Sequence, residues 1–235
     1  MATRLRPLTL NTPKCLLHIG ETSLLQRSMD ALISCGIRDF VIVTGYLHTL
    51  IEEFVATQYG DTIHTRFIHN SLYDSTNNIY SLYLAQPEAE GEDVLLLDSD
   101  LLYDAQIVRE VLDNPAPNVL TLIRHELGEE EMKVVVDDKG DIVELCKTCD
   151  PAAAIGESLG IEKMGAAYTK ALYREMDGMM NNEHLENKYY ELAFERLIPQ
   201  GHRFTVMDAT EHFSCELDTV EDFENAKERI PAKLF

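Results

Sequence analysis

The chain has 235 residues and carries 41 Asp and Glu against 20 Lys and Arg, a formal charge of -21 at pH 7. That balance argues against the basic face that releases counterions from a nucleic-acid backbone, so DNA and RNA are excluded as general partners. With 45% hydrophobic and 26% charged residues the composition is ordinary for a globular protein, and no apolar run approaches the roughly 20 residues of a membrane helix, so a cytoplasmic protein without a membrane partner is expected.

The first fourteen residues form a basic island in this acidic chain, because Arg4, Arg6 and Lys14 all precede the first acid, Glu21. Cations gathered in an acid-free stretch with Thr and Pro turns suggest a site for a phosphate-rich small ligand. Leu24, Leu25, Ser28, Met29, Leu32 and Ile33 recur with helical spacing and Gly36 supplies a stop, which predicts a helix over 22–35. A short β-branched run, Phe40 to Thr44, predicts a strand, after which Gly45 turns the chain into a second helical pattern through Leu47, Leu50, Ile51 and Phe54.

A further strand is expected at His64 to Ile68, a helix over 77–86, and a strand buried on both faces at Val94 to Leu97. This alternation predicts a mostly parallel α/β sheet. From Val119 the rhythm changes to strands and turns, with Lys133 to Val136 and Ile142 to Leu145 read as a hairpin about Asp137-Asp138-Lys139-Gly140. Helices resume at about 167, then over roughly 188–199 and 219–229, with a strand at Phe204 to Met207 between them. No linker or repeat divides the chain, so one domain over 1–235 is expected, its middle third forming a small substrate-side lobe.

Asp98-Ser99-Asp100 directly follows the apolar run at 94–97, which puts carboxylates at the C-terminal end of a strand, where open α/β sheets bind ligands. Together with a basic phosphate island, such acids suit a hard divalent cation such as Mg²⁺. A second acidic pair, Glu216 and Asp218, precedes the last helix, although Asp218 or Thr219 serves equally as its N-cap. Five cysteines, an odd number without framework spacing, fit a reducing compartment, and the C-x-x-C of Cys146 and Cys149 lacks the second pair that zinc needs. Nor do the eight histidines show metal-binding spacing.

Arg4-Leu5-Arg6-Pro7-Leu8-Thr9 and Pro13-Lys14 resemble the opening motif of the nucleotidyltransferases that activate sugar phosphates and phospho-alcohols. The resemblance continues through Gly36-Ile37, Val43-Thr44-Gly45-Tyr46, Asp100, Lys147 and Glu216-Leu217-Asp218-Thr219-Val220-Glu221-Asp222. Asn70, Tyr73 and Asn77-Asn78-Ile79-Tyr80-Ser81-Leu82, with Met132-Lys133-Val134 and Gly156 to Ile161, are similar to the branch that uses CTP on phosphocholine or phosphonates. The family's Gly-rich loop is matched only in its tail, at Ala2-Thr3-Arg4, with Met1 in the variable position. The expectation is therefore either a natural start upstream of Met1 or a non-catalytic regulatory relative.

The resemblance implies a single-domain, Rossmann-like mixed α/β sheet flanked by helices, and Mg²⁺-dependent transfer from CTP or another NTP to a small phosphorylated acceptor, releasing pyrophosphate. A sugar 1-phosphate is the alternative acceptor. Arg4 and Lys14, with Ala2 and Thr3, would hold the triphosphate; Lys147 the acceptor phosphate; Asn77 and Asn78 the nucleotide; and Asp100 with Glu216 or Asp218 the metal. Arg6 and Lys133 read as solvated surface cations. Tyrosines near carboxylates suit a cationic head group, which singles out Glu157, Glu191 and Tyr190, whereas Tyr80 and Tyr83 read as packing residues. The sequence leaves a homo-oligomer open.

Overall fold

The computed structural model describes residues 2–231, so Met1, expected inside the loop, lies outside the described residues. In chain order the elements are β1 (His18–Ile19), β2 (Thr22–Ser23), α1 (Leu24–Ser34), β3 (Asp39–Thr44), α2 (His48–Tyr59), β4 (His64–His69), α3 (Asn78–Leu84), α4 (Gln86–Ala89), β5 (Val94–Leu97), β6 (Leu101–Tyr103) and α5 (Ala105–Asp113). They continue with β7 (Val119–Ile123), β8 (Lys133–Val136), β9 (Ile142–Cys146), β10 (Ala154–Met164), α6 (Ala166–Asn181), α7 (Glu191–Leu197), β11 (Thr205–Asp208), β12 (Ser214–Glu216) and α8 (Val220–Arg229). No described helix is long and apolar enough to cross a membrane.

The chain forms two compact units, one of residues 1–74, 98–109 and 212–235, the other of 75–97 and 110–211. In the first, β3 and β4 pair in parallel. The Ser23 hydroxyl caps α1 by accepting the Gln26 N–H at 3.2 Å, and Gly36, at φ +91°, follows that helix in a conformation a side chain would resist. A core of Leu5, Leu17, Ile19, Leu24, Leu102, Leu217, Phe223 and Ala226 anchors the opening segment: Leu5 is fully buried, so its neighbours Arg4 and Arg6 are turned outward. β6 and β12 pair antiparallel, with Leu101 opposite Glu216. Thr219 caps α8 in a reciprocal box with Asp222, which leaves the Asp218 side chain available for other partners.

The second unit holds a six-stranded mixed sheet in the order β11-β7-β10-β8-β9, with β5 also on β10. β10 pairs antiparallel with β5, β7 and β8, and β11 runs parallel to β7. The expectation of a mostly parallel sheet is thus corrected, because the strands of 119–164 follow one another by reversal rather than by helical crossover. The β8–β9 hairpin forms as expected. Val94 to Leu97 are each half-buried rather than fully buried, with Val94 and Leu96 packed against the core of this unit. Tyr168, Tyr173, Phe194, Leu172 and Met176 of α6 and α7 pack with Leu120, Leu122 and Val134 of the sheet.

Candidate functional site

In the first unit the β6–β12 ladder brings two distant acids together. Asp100 immediately precedes β6 and Asp218 lies two residues beyond β12; since the strands are antiparallel, both fall at the same end of the ribbon, where the Leu217 N–H donates to the Asp100 carbonyl at 3.3 Å. The Lys14 ammonium donates to Asp100 Oδ2 at 2.9 Å and to Asp218 Oδ1 at 2.8 Å. Arg4 donates to the other oxygen, Asp218 Oδ2, at 2.7 Å. Lys14 is held by a single helical turn after Pro13, and its side chain is 15% exposed against 34% for each aspartate. Partial burial raises the Asp218 carboxyl, but the hydrogen bonds and charges of Lys14 and Arg4 outweigh it and bring its pKa below the ordinary value.

Two carboxylates converging on one cationic centre form an oxygen donor set of the hardness that Mg²⁺ prefers, so the residues present fit that ion. Glu216, the third expected ligand, is exposed at the end of β12 and lines a depression with Cys215, Asp222, Asn225 and Arg229. Ala2 and Thr3 lead into the turn that carries Arg4, and the Ala2 carbonyl accepts the Thr9 hydroxyl at 2.7 Å. Gly45 gains a role that its place in the sequence does not disclose. A Cβ there would stand 2.6 Å from Tyr73 Cβ, so the glycine lets the Tyr73 side chain lie against the main chain after β3.

The remaining expected residues lie in the second unit. Lys147, just past β9, sets its ammonium 4.6 Å from the centre of the Tyr189 ring. Tyr190, expected at the acceptor, is instead 2% exposed and packs on Phe194 with ring centroids 5.2 Å apart; the exposed ring is its neighbour Tyr189. Glu157 pairs with His125 at 2.7 Å. Burial raises the Glu157 carboxyl more than His125 lowers it, whereas the His125 ring, depressed by burial, is raised overall by its bond to Glu157. Asn77 and Asn78 hold backbone: Asn77 Oδ1 accepts the Asn78 N–H at the start of α3, and Asn78 Oδ1 accepts the Tyr190 N–H at 3.0 Å.

Two expectations about this region change. Lys133 is not a surface cation but 1% exposed. Cys146 and Cys149, expected as free thiols, are bridged by a disulfide that closes the chain around Lys147. Glu144 brings a carboxylate within 4.8 Å of both sulfurs, but sulfurs bonded to each other offer no thiolate to a metal.

Glu191, at the start of α7, is 7% exposed, and its Oε2 is buried without a hydrogen-bond partner. Burial raises its carboxyl to about 7, offset in part by its own backbone N–H and by Lys147. The folded chain therefore keeps a proton that the unfolded chain releases near 4.5, and stability from this group falls as pH rises from about 4.5 to about 7. Glu191→Gln should remove that slope. Urea midpoints measured at about pH 5 and about pH 7.5 should fall further in the native protein than in the variant, and parallel midpoints would refute the assignment.

The sequence model described as nucleotidyl transferase matches residues 1–144. Choline-phosphate cytidylyltransferase of Streptococcus pneumoniae is 36% identical over 101 residues, spanning 43% of this chain and 42% of that protein. CTP:phosphoglutamine cytidylyltransferase of Campylobacter jejuni is 24% identical over 94% of each chain. Among solved structures, CTP:phosphocholine cytidylyltransferase from S. pneumoniae superposes with a TM-score of 0.79 at 21% identity, over 98% of this chain and 95% of that one. At that identity the likeness establishes the fold, the mixed α/β arrangement expected above.

Proposed function

Because this chain belongs to the nucleotidyl transferase family, its residues 1–144 matching the family's sequence model, we propose that it transfers a cytidylyl group from CTP to a phospho-alcohol or phosphonate and releases pyrophosphate. The observation that carries this reading is the convergence of Lys14, Arg4, Asp100 and Asp218 at one point, drawn from three distant segments of the chain. Cytidylyl transfer rather than another nucleotide is supported by the cytidylyltransferase relatives that cover 43% and 94% of the chain.

An oxygen of the acceptor phosphate or phosphonate attacks the α-phosphorus of CTP, and the bond to pyrophosphate breaks in line. Little covalent work falls to the protein, so catalysis consists of holding two anions together and neutralising charge as it develops. Arg4 and Lys14 bind triphosphate oxygens. Asp100 with Asp218 would hold Mg²⁺. That ion, when bound, supplies a double positive charge for the phosphate oxygens. Lys147 orients the acceptor dianion, and the Tyr189 ring against its ammonium limits where that charge can go. The protein acts in the cytoplasm, where CTP is available.

The test is pyrophosphate release with Mg²⁺, crossing the four NTPs with phosphocholine, 2-aminoethylphosphonate and a hexose 1-phosphate. Release with CTP and either cationic acceptor supports the reading. Release only with the hexose phosphate moves the acceptor to the sugar class, and silence across the panel overturns catalysis.

A further inference from the structure

Lys133, the first residue of β8, is one of the largest fully buried side chains among the described residues, at 1% exposure. Its ammonium donates to the Lys147 carbonyl at 2.7 Å and to the Glu131 carbonyl at 3.2 Å. Both partners are main-chain dipoles and neither carries charge. The neighbouring carboxylate, Glu131, accepts the Gly128 N–H at 2.8 Å. A buried ammonium without a bonded carboxylate is costly, and a methionine would fill the same volume at less expense. The arrangement calls for a reason beyond packing.

The reason lies in what the Lys147 carbonyl would otherwise do. Lys133 sits opposite Cys146 in the β8–β9 ladder, and β9 ends at Cys146. Lys147 is the first residue beyond it, past the reach of the ladder's own N–H groups, inside the turn closed by the Cys146–Cys149 bridge. A long side chain from the facing strand reaches that carbonyl where a backbone donor does not. We infer that Lys133 is a positioning residue, which fixes the Lys147 backbone so that the Lys147 ammonium is presented to the acceptor phosphate.

The inference rests on the acceptor role given to Lys147 above, and a double-mutant cycle separates the two. The affinity for 2-aminoethylphosphonate is measured by calorimetry in the native protein, Lys133→Met, Lys147→Ala and the double variant, with CTP affinity and thermal unfolding alongside. Lys133→Met should weaken acceptor binding by about tenfold in the native background and by no more than about twofold once Lys147 is already absent. CTP affinity should be the same in all four proteins, and in turnover the acceptor KM should rise while the CTP KM does not.

Equal losses in both backgrounds would show that Lys133 acts independently of Lys147, and no loss in the native background would show that it does not act on acceptor binding; either overturns the inference alone. Failure of the native protein to bind 2-aminoethylphosphonate or phosphocholine overturns the acceptor reading and the inference with it. Lys133→Gln, which leaves the two carbonyls a polar neighbour, carries the same cycle should the methionine variant not fold.

Discussion

Lys14→Ala is expected to lower pyrophosphate release from CTP by about a thousandfold and to weaken CTP binding. The ammonium is the shared partner of Asp100 and Asp218, at 2.9 and 2.8 Å, and its side chain is mostly buried, so no other described cation stands in the same place. Arg4 touches Asp218 alone, through the oxygen that Lys14 leaves free. Removing the ammonium therefore deletes the charge proposed to hold phosphate and also leaves two carboxylates facing one another without the cation between them. The second effect has a signature in acid. Asp218 is held below its ordinary pKa, so it contributes stability that is present above the unfolded value of 3.8 and is lost as pH falls through the folded one. In Lys14→Ala that contribution shrinks, and the acid unfolding limb of the variant should be shallower than that of the native protein. Turnover within a few-fold of native would remove Lys14 from the reaction.

Asp100→Asn is expected to lower turnover at saturating Mg²⁺ by about a hundredfold or more while leaving the unfolding temperature nearly unchanged. The side chain is one-third exposed at the end of a short ribbon, and the ribbon's closing bond uses the Asp100 carbonyl, which the substitution keeps. The pair is only half-buried and the Lys14 ammonium keeps its second carboxylate, Asp218, so neutralising Asp100 costs little folding stability. What changes is the charge at the convergence point: an amide oxygen is a weak ligand for a hard cation, and Lys14 retains only Asp218. The measurement is pyrophosphate release over a Mg²⁺ titration with thermal unfolding in parallel. Near-native turnover at every Mg²⁺ concentration would sink the metal assignment, and a large fall in unfolding temperature would make the loss a folding effect.

Elements with a clean period are legible in the residues alone. The helix at Leu24–Ser34, the strands at Asp39–Thr44 and His64–His69 and the hairpin of β8 and β9 all lie where spacing and turn residues put them. The longest strand, Ala154–Met164, is not legible in this way. Its residues include Gly156, Glu157, Ser158, Gly160 and Glu162, which read as a loop by propensity, yet Gly156, Ser158, Gly160 and Glu162 are buried there. Tertiary pairing overrides propensity in this case: β10 is bonded to three strands, with a register shift between Ser158 and Glu162 that accommodates Gly160 at φ +77°. Gly156 is required there because a Cβ would come 2.5 Å from the Ile123 carbonyl.

The roles divide in the same way. The sequence by itself determined the chemical inventory: a basic opening segment with Arg4 and Lys14 in an acidic chain, carboxylates after an apolar strand and before a helix, and a lysine after a hairpin, which together point to handling of phosphates. Only the tertiary structure decided which acid joins which. The antiparallel pairing of β6 with β12 brings Asp100 and Asp218 to one end of the ribbon, where the Lys14 ammonium bridges them, and the capping of α8 by Thr219 rather than Asp218 leaves that carboxylate for Lys14. Burial decided the rest, exposing Tyr189 and enclosing Tyr190 and Lys133. Residue type and spacing set what a side chain can do, but strand register and packing set which groups lie within hydrogen-bonding distance, and electrostatic and hydrogen-bond energies depend steeply on that distance.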